Sequence, residues 1–421
     1  MSDHTSALVP VKSWTYMSPR LRHSGKAIDF GLFCEALIYY DRVLVVSPNR
    51  WEFSQFIAWF VEQGRYGDLI ALLKNDVINV YYYSFFAAAV EKDGEFSICN
   101  LEEKRAADAP TFEVDCLSSS NLRQVLPHAG QRAKLHRAIR GRVIEAKSGD
   151  FGPAIKNARR DYLDSERCAL FIQALFDEVY PILGLEEPPT VRADVIEDAG
   201  KVRIGWNVNF ERVNRALGTD LGFTPGYPLS AAARCNRLLW SAAKLGCDLY
   251  LGSPMSLLVG DKLYESGQRL TRSQEFVEQL EAEVEFPNVR ELVNSQQIGL
   301  REVLEIRQKG GRFRKWLQDE SERDRNAIIA YHNEVAKESG WIKAGRRGLK
   351  LFGVLGGATA GVAVRQYVPG VEGVLAAAAA GAGIKYVTDL ASKINENWRP
   401  VVFGNWASGR IKKWLSKQRE D

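Results

Sequence analysis

With 421 residues, 46% of them apolar and 26% charged, the chain has material for two or three domains of about 100–200 residues, and wholesale disorder is excluded. Its net charge of +4 is unevenly held: residues 341–419 carry thirteen Lys or Arg against three acids, a surplus of ten. Once Glu420 and Asp421 are counted, residues 1–340 are left at −4, so a mildly acidic body carries a strongly basic tail, an asymmetry that points to an anionic partner.

Residues 1–14 show no basic start followed by an apolar run, so no leader is expected and cytoplasmic synthesis is the default. The six cysteines (Cys34, Cys99, Cys116, Cys168, Cys235 and Cys247) are scattered and read as buried free thiols in a reducing compartment. Residues 32–40 read as a helix end leading into a strand at 42–47 (RVLVVS), closed by Pro48-Asn49. An amphipathic helix is expected at 51–63, where Phe53, Phe56, Ile57 and Phe60 fall at helical spacing, and a shorter one at 69–74. Asn75-Asp76 breaks into the β-prone run 77–85 (VINVYYYSF), and 95–101 supplies a further strand. Residues 121–180 read as helices, a basic one at 131–147 and another at 161–180. After Pro188-Pro189 comes a hairpin at 191–210 with its turn at 198–200. A helix at 229–245 then leads to a short strand at 247–251, and 271–318 is helical again, interrupted at Pro287 and Gly310-Gly311. The expected body is α/β or α+β and helix-rich overall. Its parts are a mixed α/β domain at 1–150, an α+β region at 151–300 and a charged helical connector at 301–340. A basic Gly/Ala-rich helical hairpin module at 341–421 completes the chain.

That last module is the most patterned part. Fourteen residues without charge lie between Lys350 and Arg365, and twelve between Glu372 and Lys385, with Pro369-Gly370 as the turn. Gly353, Gly357 and Gly361 fall four apart, as do Gly373, Ala377 and Gly381, so each helix would carry one stripe of minimal side chains, a glycine zipper. Such stripes let two backbones approach closely. Both runs are shorter than the ~20 residues that cross a bilayer, which favours a sheltered helix pair. Their flanks favour an interfacial element instead: Lys343, Arg346, Arg347 and Lys350 lead in, Arg410, Lys412, Lys413 and Lys417 trail out, and Trp341, Trp398, Trp406 and Trp414 are interleaved. A hairpin sheltered at rest and released on a signal satisfies both.

Around it, Phe286-Pro287, residues 301–307 (REVLEIR), 313–317 (FRKWL) and 398–403, beginning at Trp398, resemble a C-terminal module of uncharacterised bacterial proteins. The resemblance covers about the last third of the chain. It implies a bacterial accessory or antiviral defence-type gene and carries over no activity.

No phosphate-cradling loop, HExxH or nucleophile elbow is present. The histidines His4, His23, His128, His136 and His332 have no ligand spacing, so no metal or cofactor is expected. Asp41, Asp76, Asp248 and Asp261 lie in or near expected strands and are the candidates for a metal-dependent nuclease site. Asp41 and Asp248 stand at strand starts, however, whereas such sites form at strand carboxyl ends, and turn or capping roles fit them better. The basic stretch Arg132, Lys134, His136, Arg137, Arg140, Arg142 and Lys147 could meet phosphates of nucleic acid, but spread around a helix it reads as a solvated face.

The expected function is therefore non-enzymatic: a sensor or effector whose body binds a partner. Its hairpin engages an anionic membrane, peripherally on the inner face, or assembles with further copies of the chain. A metal-dependent nuclease and a structural subunit of a larger complex are the alternatives.

Overall fold

The computed structural model describes residues 6–12, 28–47, 49–83, 88–92, 95–99, 110–147, 149–182, 184–185, 187–198, 201–217, 227–251, 289–311, 314, 351–352 and 411. Among these, the strands are β1 (Ser6–Pro10), β2 (Arg42–Ser47), β3 (Ile78–Tyr82), β4 (Ala88–Lys92), β5 (Glu95–Cys99), β6 (Val143–Glu145), β7 (Ala193–Asp198), β8 (Lys201–Trp206), β9 (Asp248–Tyr250) and β10 (Leu351–Phe352). The helices of the first half are α1 (Phe30–Tyr39), α2 (Arg50–Glu62), α3 (Tyr66–Lys74), α4 (Phe112–Cys116), α5 (Ser119–Leu122) and α6 (Ala129–Ile139). Those that follow are α7 (Gly152–Tyr162), α8 (Ser165–Ile182), α9 (Phe210–Leu217), α10 (Tyr227–Leu245), α11 (Val289–Asn294) and α12 (Leu300–Lys309).

The body is an α/β fold built on a six-stranded sheet in the order β10-β9-β1-β2-β3-β6, parallel throughout. Strands covered on both faces need apolar side chains on both, which is why β2 (RVLVVS) reads as a near-continuous apolar run. Alternate residues feed two cores. Val9, Val45, Val80 and Tyr250 enter one with α1, α2, α3, α6, α11 and α12, while Leu8, Leu44, Tyr81 and Leu249 enter the other with α7, α8 and α10. A second, antiparallel sheet in the order β4-β5-β8-β7 adds Val202 and Ile204 to the second core.

From β1 the chain steps outward through β2 and β3 to β6, with α1, α2 and α3 supplying the first core. It then returns by α7, α8 and α10, in the second core, to place β9 on the other side of β1. This is the doubly wound arrangement, and its reversal point lies between β1 and β9.

Four local differences from the sequence reading have physical causes. β1 is a short apolar stretch, SALVP, which local periodicity does not single out. The basic helix stops at Ile139, where Gly141 takes a left-handed φ of +75° and turns the chain into β6, so Arg142 and Lys147 are not helical. The helix expected at 161–180 is two, broken at Leu163-Asp164, and the Asp164 carboxylate accepts the amide of Arg167 at 3.1 Å. At the start of the expected connector, α12 buries Leu300, Val303 and Ile306 in the first core. The hairpin expected at 191–210 is present as β7 and β8.

The uncharged run expected to begin a helix instead opens, at Leu351–Phe352, as β10 beside β9. The whole of the small-residue stripe (Gly353, Gly357, Gly361, Gly373, Ala377 and Gly381) lies outside the described residues, as do Lys343, Arg346, Arg347, Lys350, Arg410, Lys412, Lys413 and Lys417.

Candidate functional site

In a doubly wound sheet, ligands bind outside the carboxyl ends of the strands, at the reversal point. Here that rim is formed by the ends of β1, β2, β3 and β9. Lys12 follows β1 and pairs with the Glu52 carboxylate at 3.2 Å, in the first turn of α2. Asn49 caps that helix by accepting the Glu52 amide at 3.0 Å, and its side-chain amide donates back to the Glu52 carboxylate at 3.3 Å. Just beyond β3, the buried Arg237 guanidinium of α10 sits 3.9 Å above the Tyr83 ring. Burial pushes the Tyr83 hydroxyl upward, and the fields of Arg237 and Arg234 partly offset it. Burial also pulls the Arg237 guanidinium down from its ordinary range. Among the described residues, Lys12, Arg234, Arg237 and Glu52 thus gather charge of both signs at this rim.

α1 starts at the same rim. The Asp29 amide donates to the Val11 carbonyl at 2.8 Å, and its carboxylate caps the helix by accepting from Leu32 at 2.8 Å. That carboxylate also accepts from Asn294 at 2.8 Å and pairs with Arg290 at 2.6 Å, both on α11. The Asn294 side-chain oxygen Oδ1 in turn accepts the Gly31 amide at 2.9 Å. Contact here is so close that a Cβ on Gly31 would fall 2.1 Å from the Arg290 carbonyl oxygen.

At the far end of α1 the same C-terminal segment takes hold again. Arg307 donates to the carbonyls of Leu37, Tyr40 (2.5 Å) and Asp41 (2.7 Å). Arg314 donates to the Asp41 carboxylate at 2.8 Å and to the Ile38 carbonyl at 3.3 Å. Helices leave their last carbonyls without intrahelical partners, and two guanidinium forks satisfy them here. Burial pulls Arg307 down to about 10, the Arg314 charge adding to the effect. All ten residues of α1 are buried under this clasp, including Glu35, whose carboxylate accepts from the Tyr250 hydroxyl of β9 at 2.7 Å.

The sequence-derived aspartates do not converge on the carboxyl rim. Asp41 precedes β2, Asp76 precedes β3 and Asp248 opens β9, so all three stand at amino ends. Asp41 is held by Arg314, and Asp76 by Arg42, Arg142 (2.6 Å) and Asn79 (2.9 Å). These are the pairings of structural carboxylates, and no group of three or more metal-ligating side chains occurs among the described residues. Asp261 lies outside them. The five described cysteines are buried free thiols, and burial raises Cys34 and Cys168, the latter to about 12, which removes nucleophilic character.

The sequence reading missed Lys12, Asp29, Glu52, Arg237, Arg290 and Asn294. One signal was available: Asn49 and Glu52, three apart before an apolar run, are spaced as a helix-capping pair. Comparison with protein-family models, curated proteins and solved structures returned no match.

Proposed function

We propose that the chain is a non-enzymatic sensor–effector. Its α/β body takes an anionic ligand or partner at the carboxyl rim, and its basic tail module then engages an anionic membrane surface or further copies of the chain. The observation that carries this reading is the clasp on α1. The segment that leads into the tail grips α1 at the rim, through Arg290 and Asn294, and at the opposite end, through Arg307 and Arg314. A ligand that shifts the start of α1 would be felt by the segment that holds the tail. The tail's surplus of ten positive charges supplies the attraction to an anionic surface, at about 1 kcal/mol per cation close to it, and salt screens that attraction.

No helix among the described residues is long and apolar enough to cross a membrane. The uncharged runs of the tail, fourteen and twelve residues long, fall short of the ~20 that span a bilayer, which supports peripheral attachment. The resemblance of the last third to a module of uncharacterised bacterial proteins supports extending this reading to a defence-type effector, held back until a signal arrives.

The test uses the full chain, the double variant Arg307→Ala/Arg314→Ala, and a chain lacking residues 341–421. Each is mixed with vesicles of neutral or anionic lipid at low and high salt. The expected result is weak binding by the wild-type chain, stronger binding by the double variant to anionic vesicles only, and none without the tail. Equal binding by the wild-type chain and the double variant, or binding that survives loss of the tail, would sink the proposal.

A further inference from the structure

Residues 124–144 contain five Lys or Arg and no Asp or Glu. The structure divides these cations into two groups. Arg132 turns inward, donating to the carbonyls of Leu126 and Pro127, both at 2.6 Å. Arg142 is held at 2.6 Å by Asp76 and also donates to the Lys74 carbonyl at 3.2 Å. Those two have structural work. Lys134, Arg137 and Arg140 are exposed, with Arg137 also donating to the Ala133 carbonyl one turn back at 3.3 Å, and no ion pair joins any of them to an acid among the described residues.

The basic stretch is thus not spread around a helix. Its inward charges are consumed, and the remaining three lie three residues apart along one solvent face of α6, ending at its C-cap. At 1.5 Å of rise per residue they span about 9 Å. The other exposed positions of this helix are Ala129, Gly130 and Ala133, so nothing bulky keeps a flat or grooved partner away. Lys74 is exposed too, and its carbonyl is fixed to Arg142, which brings a fourth cation to the end of the row.

We propose that this face, Lys134, Arg137 and Arg140 with Lys74 beside them, binds the sugar–phosphate backbone of duplex nucleic acid without reading its sequence. Charge complementarity selects a polyanion. The composition of the face selects which one. Membrane-surface helices set Trp, Phe or Leu beside their cations, and no exposed position of α6 carries one. Unpaired strands are held by aromatic platforms, and residues 117–144 contain no Phe, Tyr or Trp. The next exposed large apolar residue along the chain, Ile144, pairs in register with Tyr81, whose side chain lies in the opposite core. A row of cations on a small-residue face, with neither insertion nor stacking groups, matches a duplex backbone.

The tail is also basic, so the test compares full chains that differ only on the body. The variant Lys134→Ala/Arg137→Ala/Arg140→Ala is titrated with a short DNA duplex across a salt series. A control variant, Arg159→Ala/Arg215→Ala/Lys244→Ala, removes the same charge from exposed cations that are each paired with an acid. Every phosphate that the protein no longer neutralises flattens the slope of log K against log salt by about 0.9. The α6 variant should therefore bind with a slope shallower by about 2.7 for three such phosphates, the control should match the wild-type chain, and Arg137→Lys/Arg140→Lys should retain the wild-type slope. Equal slopes for the wild-type chain and the α6 variant would overturn the proposal, and so would an equal flattening in the control. If the α6 variant instead loses binding to anionic vesicles while keeping its affinity for the duplex, the face is a lipid surface and the assignment to nucleic acid is wrong.

Discussion

Replacing Gly31 by Ala tests the clasp at its tightest point. The added methyl meets the Arg290 carbonyl oxygen at 2.1 Å, and because that atom is backbone, α11 itself has to move. Overpacking of this kind costs about 1–3 kcal/mol. The shift also strains two buried hydrogen bonds, from Gly31 to Asn294 and from Asn294 to Asp29, together about 2 kcal/mol if both are lost. Ala is the better helix former by about 1 kcal/mol, which offsets part of this. The net expectation is a loss of about 2–4 kcal/mol, read as a lowered urea midpoint of the full chain. Gly130→Ala is the control: no heavy atom lies within 4 Å of its added Cβ, so stability should be unchanged or rise by up to about 1 kcal/mol. Asn294→Ala should cost less in the Gly31→Ala background than alone, because the bonds it removes are already strained. Wild-type stability in Gly31→Ala, or strict additivity of the two changes, would refute the geometry of the clasp.

Other expectations follow from the same interactions. Glu35 is raised from 4.5 chiefly by burial, against the opposing pull of the Tyr250 hydrogen bond, so its folded form holds its proton more tightly than its unfolded form. Its contribution is present below 4.5 and is lost as pH rises through the folded value, and Glu35→Gln should flatten that decline in urea midpoints measured from about pH 4 to 8. For Asp76 the sign is opposite: burial pushes its carboxyl up, but Asn79, Arg42 and Arg142 together hold it below 3.8, so its contribution is present above 3.8 and fades as pH falls through the lowered value. Asp76→Asn tolerates the left-handed φ of 60° and should reduce the acid sensitivity of the midpoint, by a small amount because the site is partly open to solvent. Arg307→Lys should destabilise by about 1–3 kcal/mol in the same assay, since a single ammonium cannot replace a fork that serves three carbonyls.

Legibility from sequence followed the range of the interactions. β2, α2 and the β7–β8 hairpin announce themselves through local periodicity, because their partners are near neighbours or their faces repeat within a few residues. β9 is legible as a short strand after its helix, but β1 is five residues long and its pairing with β9 joins residues about 240 positions apart, which no local pattern shows. The clasp is more remote still, since Gly31 and Asn294 are 263 residues apart. Nothing in the residues around Arg307 says that its donors end on α1. The amino-end placement of Asp41 and Asp248 was readable, because a strand's first residue is visible in the sequence. The rim was not, since Lys12 lies beside a strand that local pattern does not reveal. The basic stretch shows the limit most directly: its charges can be counted in the sequence, but the turn at Gly141 and the inward course of Arg132 and Arg142 decide which of them face solvent.

β1 lies between β2 and β9, and this has a consequence for synthesis on the ribosome. The first strand to be made waits for its second neighbour until residue 248 appears, about 240 residues later, or roughly 12–50 s at ordinary translation rates. Throughout that interval one edge of β1 presents unpaired backbone groups, and the helix after it lacks the cover that Val289–Asn294 and Leu300–Lys309 supply later still. The nascent chain therefore carries an open strand edge and an uncovered helix until these later segments are made. Shortening the region between β6 and β9 would lessen that exposure, whereas slowing translation there would lengthen it and lower the yield of native protein.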